Sequence, residues 1–181
     1  MLTVANSDVE AFIIDEITRQ LAYEVENYML GKIAEGAGTE INYSALNSFS
    51  WADAVAFEAA IGGYNLTDAQ FVMSASARAA LKGIEKAEGT ARFICEDNAI
   101  NGYPVSVSGC VKNDNIYFGA MENLVLASFD DLNIIIDPYT EARSGAVVVV
   151  GSICIDAGLT APEAFAIGKV QESSSSSESE S

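Results

Sequence analysis

Apolar residues recur every four positions near the start of the chain: Val9, Ile13, Ile17, Leu21, Val25 and Met29. Phe12, Ile14 and Tyr28 widen this stripe, while Asp8, Asp15, Glu16, Glu24 and Glu26 fall mainly on other faces. That is the pattern of a helix packed on one side. Ser7 with Glu10 makes a capping box that predicts the helix start, and Gly31 and Lys32 are stop signals at its end. Such a helix has about six turns and is long enough to cross a whole domain face.

Residues 34–38, with two glycines, are expected to be flexible. Ser50 then caps a second helix, with Asp53 at the third position, running through Trp51, Val55 and Phe57 to Ile61 and ending at Gly62–Gly63. Gln70 to Met73 reads as a short strand. Ser74 or Ser76 opens a third helix through Ala77, Ala80 and Leu81, closed by Lys82–Gly83.

From Arg92 the apolar runs shorten to strand length. Strands are expected at Arg92–Cys95, Tyr103–Ser108, Ile116–Phe118, Leu124–Ala127, Asn133–Ile136 and Ala146–Ile155, with turn pairs at Asn101–Gly102 and Asn113–Asp114. Tyr103, Val105 and Val107 alternate onto one face. The run Ala146–Ile155 is apolar apart from Ser152, as for a strand buried on both sides. Helices followed by strands, without internal repeats, predict an α+β fold. Residues 172–181 contain only Ser and Glu. They have no apolar group to bury, so this tail is expected to be disordered.

The length of 181 residues suits one domain or two small, intimately packed ones, and half the residues are hydrophobic, ample for a core. Nine Lys and Arg against 26 Asp and Glu give a formal net charge of −17. No basic run exists to displace counterions from phosphates or to bind anionic lipid, which argues against nucleic-acid gripping and membrane attachment. No signal peptide is recognisable, and the longest apolar run, Ala146 to Val150, is far short of a membrane span.

The three cysteines, Cys95, Cys110 and Cys154, are odd in number and unpaired in spacing, against a disulfide framework or a zinc knuckle. They are expected to be buried, reduced side chains. The chain contains no histidine, which removes the commonest general base and transition-metal ligand but leaves carboxylate, Lys and Tyr chemistry open.

Several residues invite a chemical reading. Asp15 and Glu16 with Arg19 could form an acid–base group, but Asp15 and Arg19, four apart, are expected as a surface ion pair. Asp130, Asp131, Asn133 and Asp137 lack calcium-loop spacing and its central glycine, so capping roles are expected. Gly62–Gly63 and Gly119 are not part of a phosphate-cradling motif. Asn65–Leu66–Thr67 fits a glycosylation triplet without a secretion signal to give it meaning. Lys82 and Lys86 could enter isopeptide cross-links, yet no desolvated Lys–carboxylate–Asn trio is evident, and helix-end cations are expected instead. No catalytic, cofactor-binding or metal-binding residue is therefore assigned.

The stretch Ile100-Asn101-Gly102-Tyr103-Pro104-Val105-Ser106-Val107-Ser108 resembles the Gly-x-Pro-Val and alternating-strand segment of tailed-bacteriophage major capsid proteins, the family with the Hong Kong 97-type fold. Ile116-Tyr117-Phe118-Gly119 is similar to that family's next strand. Asn123-Leu124-Val125-Leu126 and Leu132-Asn133-Ile134-Ile135-Ile136 resemble the following apolar pair. Asp137-Pro138-Tyr139-Thr140 is similar to a recurrent tetrapeptide, and Asp156-Ala157-Gly158-Leu159 with Ala161-Pro162-Glu163-Ala164-Phe165-Ala166 looks like the closing segment. Upstream, Phe71-Val72-Met73-Ser74 and Ala79-Ala80-Leu81-Lys82 resemble its strand–helix unit, and the first helix its spine helix. The resemblance covers nearly all of the chain before the tail. Ala120 and Met121 depart from it, standing where the family usually has Asp and Phe. The chain also starts almost at the spine helix, so the family's N-terminal arm and extended loop are expected to be absent.

The resemblance implies a spine helix in a peripheral domain over 1–38, an axial domain over 39–136, peripheral strands over 137–158 and a return to the axial domain over 159–171. It implies a non-enzymatic shell subunit that joins copies of itself into pentamers and hexamers, encloses DNA without specific binding, and ends in the virion after synthesis in the bacterial cytoplasm. A portal, scaffold or prohead protease would be its other partners, with no cofactor and no membrane. The acidity then has two readings, a soluble self-repelling surface or an inner wall that does not stick to DNA. An encapsulin-like compartment shell and a carboxylate-based enzyme are the alternatives.

Overall fold

The computed structural model describes residues 2–63, 68–112, 114–137, 139–141, 143–144 and 147–171, with backbone alone for 2–8 and 10. The Asn65–Thr67 triplet, Asn113, Pro138, Ala146 and the Ser/Glu tail lie outside the described residues, as do the side chains of the Ser7–Glu10 capping box. The elements are α1 (Leu2–Gly36), β1 (Thr39–Tyr43), α2 (Trp51–Ala60), β2 (Ala69–Met73), α3 (Ala75–Leu81), β3 (Ala99–Ile100), β4 (Tyr103–Val107), β5 (Ile116–Ala120), β6 (Leu124–Ser128), β7 (Asn133–Asp137), β8 (Val148–Ser152), β9 (Ile155–Leu159) and β10 (Phe165–Val170). Helices and a mixed sheet make the fold α+β, as expected.

The chain divides into two units. One comprises Met1–Gly31 and Val125–Gly158, the other Lys32–Leu124 and Leu159–Ser181. One boundary between these units falls at Leu124–Val125. Within the first unit β6 pairs with β9 and β7 with β8, as two separate two-stranded ribbons.

The second unit is built on a six-stranded sheet in the order β1-β10-β5-β2-β4-β3. Its centre, β5, is buried at every position from Ile116 to Ala120. Phe71 on β2 and Phe118 on β5 are register partners, and their rings stack with centroids 4.3 Å apart. Phe57 from α2 meets both edge-on, and Tyr103 from β4 meets Phe118 at 5.2 Å. Aromatic contacts of this kind add about 0.5–1.5 kcal/mol each beyond the area they bury. Gly168 on β10 lets this cluster close, since a Cβ there would lie 2.6 Å from Phe57 Cζ and 2.9 Å from Tyr43 Cε1.

Local signals place α2 and α3 as expected. Ser50 Oγ accepts from the Asp53 amide at 3.3 Å, and Asp53 Oδ2 accepts from the Ser50 amide at 2.8 Å, completing a capping box. Ser74, not Ser76, caps α3, accepting from the Ala77 amide at 3.1 Å.

Other expectations need correction. The first helix runs through Ser7, because nothing from Leu2 to Asn6 is Gly or Pro. It also passes Gly31 and ends at Gly36, since Ile33 is fully buried and that burial outweighs a glycine cost of about 1 kcal/mol. Residues 39–43, not anticipated as a strand, form β1 parallel to β10. Arg92–Cys95 is not a strand: the Ile94 and Cys95 amides donate back to Ile84 and Leu81 carbonyls, at 2.9 and 3.3 Å. The run expected as one doubly buried strand changes partner at Ile153–Cys154, giving β8 on β7 and β9 on β6, with Val147 and Val150 exposed.

Candidate assembly surfaces

In the first unit, β7 and β8 form an antiparallel ribbon with Ile134 opposite Gly151 and Ile135 opposite Val150. A Cβ placed on Gly151 would overlap Ile17 Cγ2 and lie 3.2 Å from Leu21 Cδ1 of α1. The Ile134–Gly151 face therefore rests on the half-buried stripe of the helix. Successive side chains in a strand point to opposite faces, so Ile135 and Val150 point away from α1. They are 52% and 48% exposed, a cross-strand apolar pair open to solvent. Ile136 and Val147 of the same ribbon region and Phe129 of the β6–β7 connection are also exposed.

After β7, Asp137 shapes the turn. Its Oδ1 accepts from the Tyr139 amide at 2.8 Å and the Thr140 amide at 3.2 Å, and its Oδ2 from the Thr140 hydroxyl. The Thr140 hydroxyl first, then these two amides, hold its carboxyl below the usual range. The turn presents Tyr139 to solvent at 84% exposure. A separate groove of roughly 390 Å³ is lined by Leu21, Glu24, Val25 and Tyr28 of α1 with Ile153 and Ile155. Beside it the Tyr28 hydroxyl donates to Asp156 Oδ1 at 3.0 Å.

In the second unit, polar side chains gather at element ends. Glu58 of α2 accepts from the Asn101 side-chain amide and, at 3.2 Å, from the Tyr103 hydroxyl. Desolvation chiefly, then the Glu58 carboxylate, raises the Tyr103 hydroxyl above its ordinary pKa. Lys86 Nζ lies 4.6 Å from the Trp51 ring centroid and 3.7 Å from Glu96 Oε2, which Arg92 also approaches at 3.3 Å. The Phe93 amide chiefly, then Arg92 and Lys86, keeps Glu96 below the usual carboxylate pKa.

The structure separates the residues considered for chemistry. Arg19 pairs with Glu16 at 2.7 Å rather than with Asp15, because three positions along a helix also share a face. Asp130 and Asp131 lie exposed in the β6–β7 connection. Lys82 terminates α3 as an exposed helix-end cation, whereas Lys86 is engaged as above. Gly119 lies in β5, where a Cβ would collide with Phe165 and lie 2.7 Å from the Ala164 carbonyl, a packing role. Cys95 and Cys110 are buried, and burial pushes the Cys95 thiol up. Cys154 is exposed instead, since it sits where the chain leaves β8 for β9. Among the described residues no group of three or more Cys, Asp or Glu is arranged to hold a metal, and no helix is long and apolar enough to cross a membrane. The exposed ribbon of the first unit gave no sequence signal of its own, because its apolar residues read as core.

Comparisons with known proteins point one way. The model of the phage capsid family matches residues 1–170. A major capsid protein of Halomonas phage phiHAP-1 is 25% identical over 146 residues, covering 80% of this chain and 24% of that protein. The chain thus spans about a quarter of the length of that relative. Among solved structures, the capsid of a native GTA particle superposes with a TM-score of 0.70 at 20% identity, covering 89% of this chain and 65% of that one. Mycobacterium phage Che8 gives 0.65 at 11% identity, covering 89% and 63%. A virus-like particle from Pyrococcus furiosus gives 0.64 at 14%, covering 83% and 64%. These structural likenesses establish the shared fold.

Proposed function

The chain belongs to the phage capsid family, and from that premise we propose that it is a shell subunit that works through its surfaces. The observation that carries the reading is the outward apolar pair Ile135–Val150 on a ribbon whose other face is packed on α1. A two-stranded ribbon is marginal by itself, and exposed apolar surface rimmed by polar residues suits a protein–protein contact. Asn133, Asp137 and Ser152 supply that rim on the same face. The unit holding α1 and β6 to β9 would be the peripheral domain, and the six-stranded unit the axial domain.

The partners in this reading are copies of the same chain, joined by heterologous contacts that close into pentamers and hexamers. A portal, scaffold or prohead protease would complete the particle. The net charge of −17 supports enclosure of DNA without specific binding. The subunit would be made in the host cytoplasm and end in the virion, with no catalytic step.

Mass photometry and negative-stain electron microscopy across a concentration series test this. Rings or shells are expected, and Ile135→Thr with Val150→Thr should weaken or disperse them while moving the melting temperature little, because threonine keeps the β-branched shape and both side chains are half in water already. Nucleic acid inside particles isolated from infected or induced cells would separate a genome container from a protein-filled compartment. A monomer at every concentration would refute the shell reading.

A further inference from the structure

The hairpin joining β3 to β4 turns through Asn101–Gly102, the only Asn-Gly pair in the sequence. Ile100 pairs with Tyr103 across it, and φ is 51° at Asn101 and 87° at Gly102. Two positive φ values in a two-residue loop mark a type I′ turn, for which Asn-Gly is the preferred sequence. Gly102 is exposed, with no atom within 4 Å of where its Cβ would be. The Asn101 amide is held from the neighbouring helix, where its Nδ2 donates to Glu58 Oε2. Tyr103, on the other side of the turn, donates to Oε1 of the same carboxylate and orients it.

Asparagine followed by glycine is chemically labile, because no side chain on the following residue shields its backbone nitrogen. We propose that Asn101 is a spontaneous-modification site, open to deamidation through Gly102, and that Glu58 is the group that holds the reaction back. In the reaction the Gly102 nitrogen gives up its proton and bonds to Asn101 Cγ. The Cγ–Nδ2 bond breaks, and Nδ2 leaves as ammonia carrying that proton. Water then opens the cyclic imide at either carbonyl, giving aspartate or isoaspartate. One water is consumed, one ammonia is released, and nothing is oxidised or reduced.

Glu58 opposes this at its first step. For Cγ to meet the Gly102 nitrogen the side chain must swing over its own peptide, and that motion breaks a hydrogen bond to a charged acceptor. The product is also poorly tolerated. A carboxylate at position 101 loses the donor and faces Glu58 with like charge, while isoaspartate lengthens the backbone of a loop whose register depends on having two residues. Modification would therefore loosen the β3–β4 hairpin from α2 within the second unit. This inference stands apart from the shell reading and survives its failure.

The test follows the full chain, Glu58→Ala and Glu58→Gln during incubation at mildly alkaline pH. Peptide mass mapping scores the amide-to-acid shift at Asn101, and isoaspartyl methyltransferase labelling scores the isomerised product. Asn47, which precedes Ser48 in an exposed turn, serves as an internal clock. Wild type is expected to react more slowly at Asn101 than the urea-unfolded chain. Glu58→Ala should be about tenfold faster than wild type, or about 1.4 kcal/mol off the barrier, with the Asn47 rate unchanged. Should Glu58→Ala fail to fold by circular dichroism, Glu58→Gln replaces it, since the amide keeps the shape with a weaker acceptor. Equal Asn101 rates in wild type and a folded Glu58 variant would overturn the proposal, as would an Asn101 rate in native wild type matching that of the unfolded chain.

Discussion

Gly151 and Gly158 offer a matched test of how β8 rests on α1. Both lie in five-residue strands of the first unit. Neither is among the glycines with positive φ. In a strand, Gly→Ala ordinarily stabilises by about 0.5–1 kcal/mol, because alanine gives up less chain entropy on folding. At Gly158 nothing lies within 4 Å of the new methyl, so this gain should appear. At Gly151 the methyl overlaps Ile17 Cγ2. That atom branches from Cβ of a helical isoleucine with essentially one rotamer, so it cannot swing aside. Strand or helix must shift instead, and overpacking of this kind costs about 1–3 kcal/mol. The signs therefore oppose: Gly151→Ala should destabilise by about 1–2 kcal/mol net and Gly158→Ala should not. Hydrogen exchange at the β7, β8 and α1 amides localises the effect, and thermal melting should move by about 2–4 °C per kcal/mol. Ile17→Ala placed in the Gly151→Ala background should recover part of the loss, a non-additivity expected only of touching residues. If Gly151→Ala is as harmless as Gly158→Ala, the ribbon does not sit on Ile17 and the outward assignment of Ile135 and Val150 falls with it.

Other expectations follow from the same geometry. Ser50→Ala removes the cap of α2 and should cost about 1 kcal/mol in urea unfolding; Asp53→Ala added to it should cost less than the sum of the singles, since the two side chains bond each other's backbone. Phe118→Ala opens the centre of the aromatic cluster and should cost about 3–5 kcal/mol, enough to unfold the second unit on modest heating. Asp137 has a folded pKa below its ordinary 3.8, so its bonds to Thr140 and Tyr139 favour folding above that value, and the contribution is lost as pH falls through the lower folded value. Asp137→Asn should thus lie below wild type in stability at neutral pH, with the gap closing on acidification; a gap that widens toward low pH would show the sign to be wrong.

What the sequence made legible was local. Ser50 and Asp53, Ser74, and the Asn101–Gly102 turn each act within a few residues, and each appears where its chemistry predicts. Long-range pairings were not legible. Thr39–Tyr43 has strand alternation for only five residues and becomes β1 because β10, more than a hundred positions later, lies parallel to it. Ile94 and Cys95 look like strand residues but spend their amides on the chain leaving α3. Gly31 looks like a stop, yet the stop depends on whether the next turn has something to bury, and Ile33 does. The pieces that carry the family resemblance, Tyr103–Ser108, Ile116–Gly119 and Phe165–Ala166, all fall in the one large sheet, where β5 lies beside β10 and β2 stands between β5 and β4. The candidate surface was hidden for the opposite reason: Ile135, Val147 and Val150 carry the hydrophobicity of a core while standing in water.

That mismatch has a direct physical consequence for the shell reading. A hydrophobic pattern records burial in the working state, and a single chain satisfies only the part it can satisfy alone. Covering the exposed halves of the outward pair Ile135 and Val150 would gain roughly 1 kcal/mol each, taking about 1.5–3 kcal/mol for full burial of such a side chain. Their sum falls short of the rotational and translational cost of association, about 4–15 kcal/mol. One ribbon contact therefore cannot hold two subunits together against a net charge of −17 on each. Several such contacts made at once around a closed ring can, because the ordering cost of the last subunit is shared among its neighbours. Electrostatics then opposes assembly instead of driving it. Added salt, by shortening the screening length to about 10 Å at 0.1 M, weakens the repulsion while leaving apolar burial intact, so ring formation should rise with ionic strength.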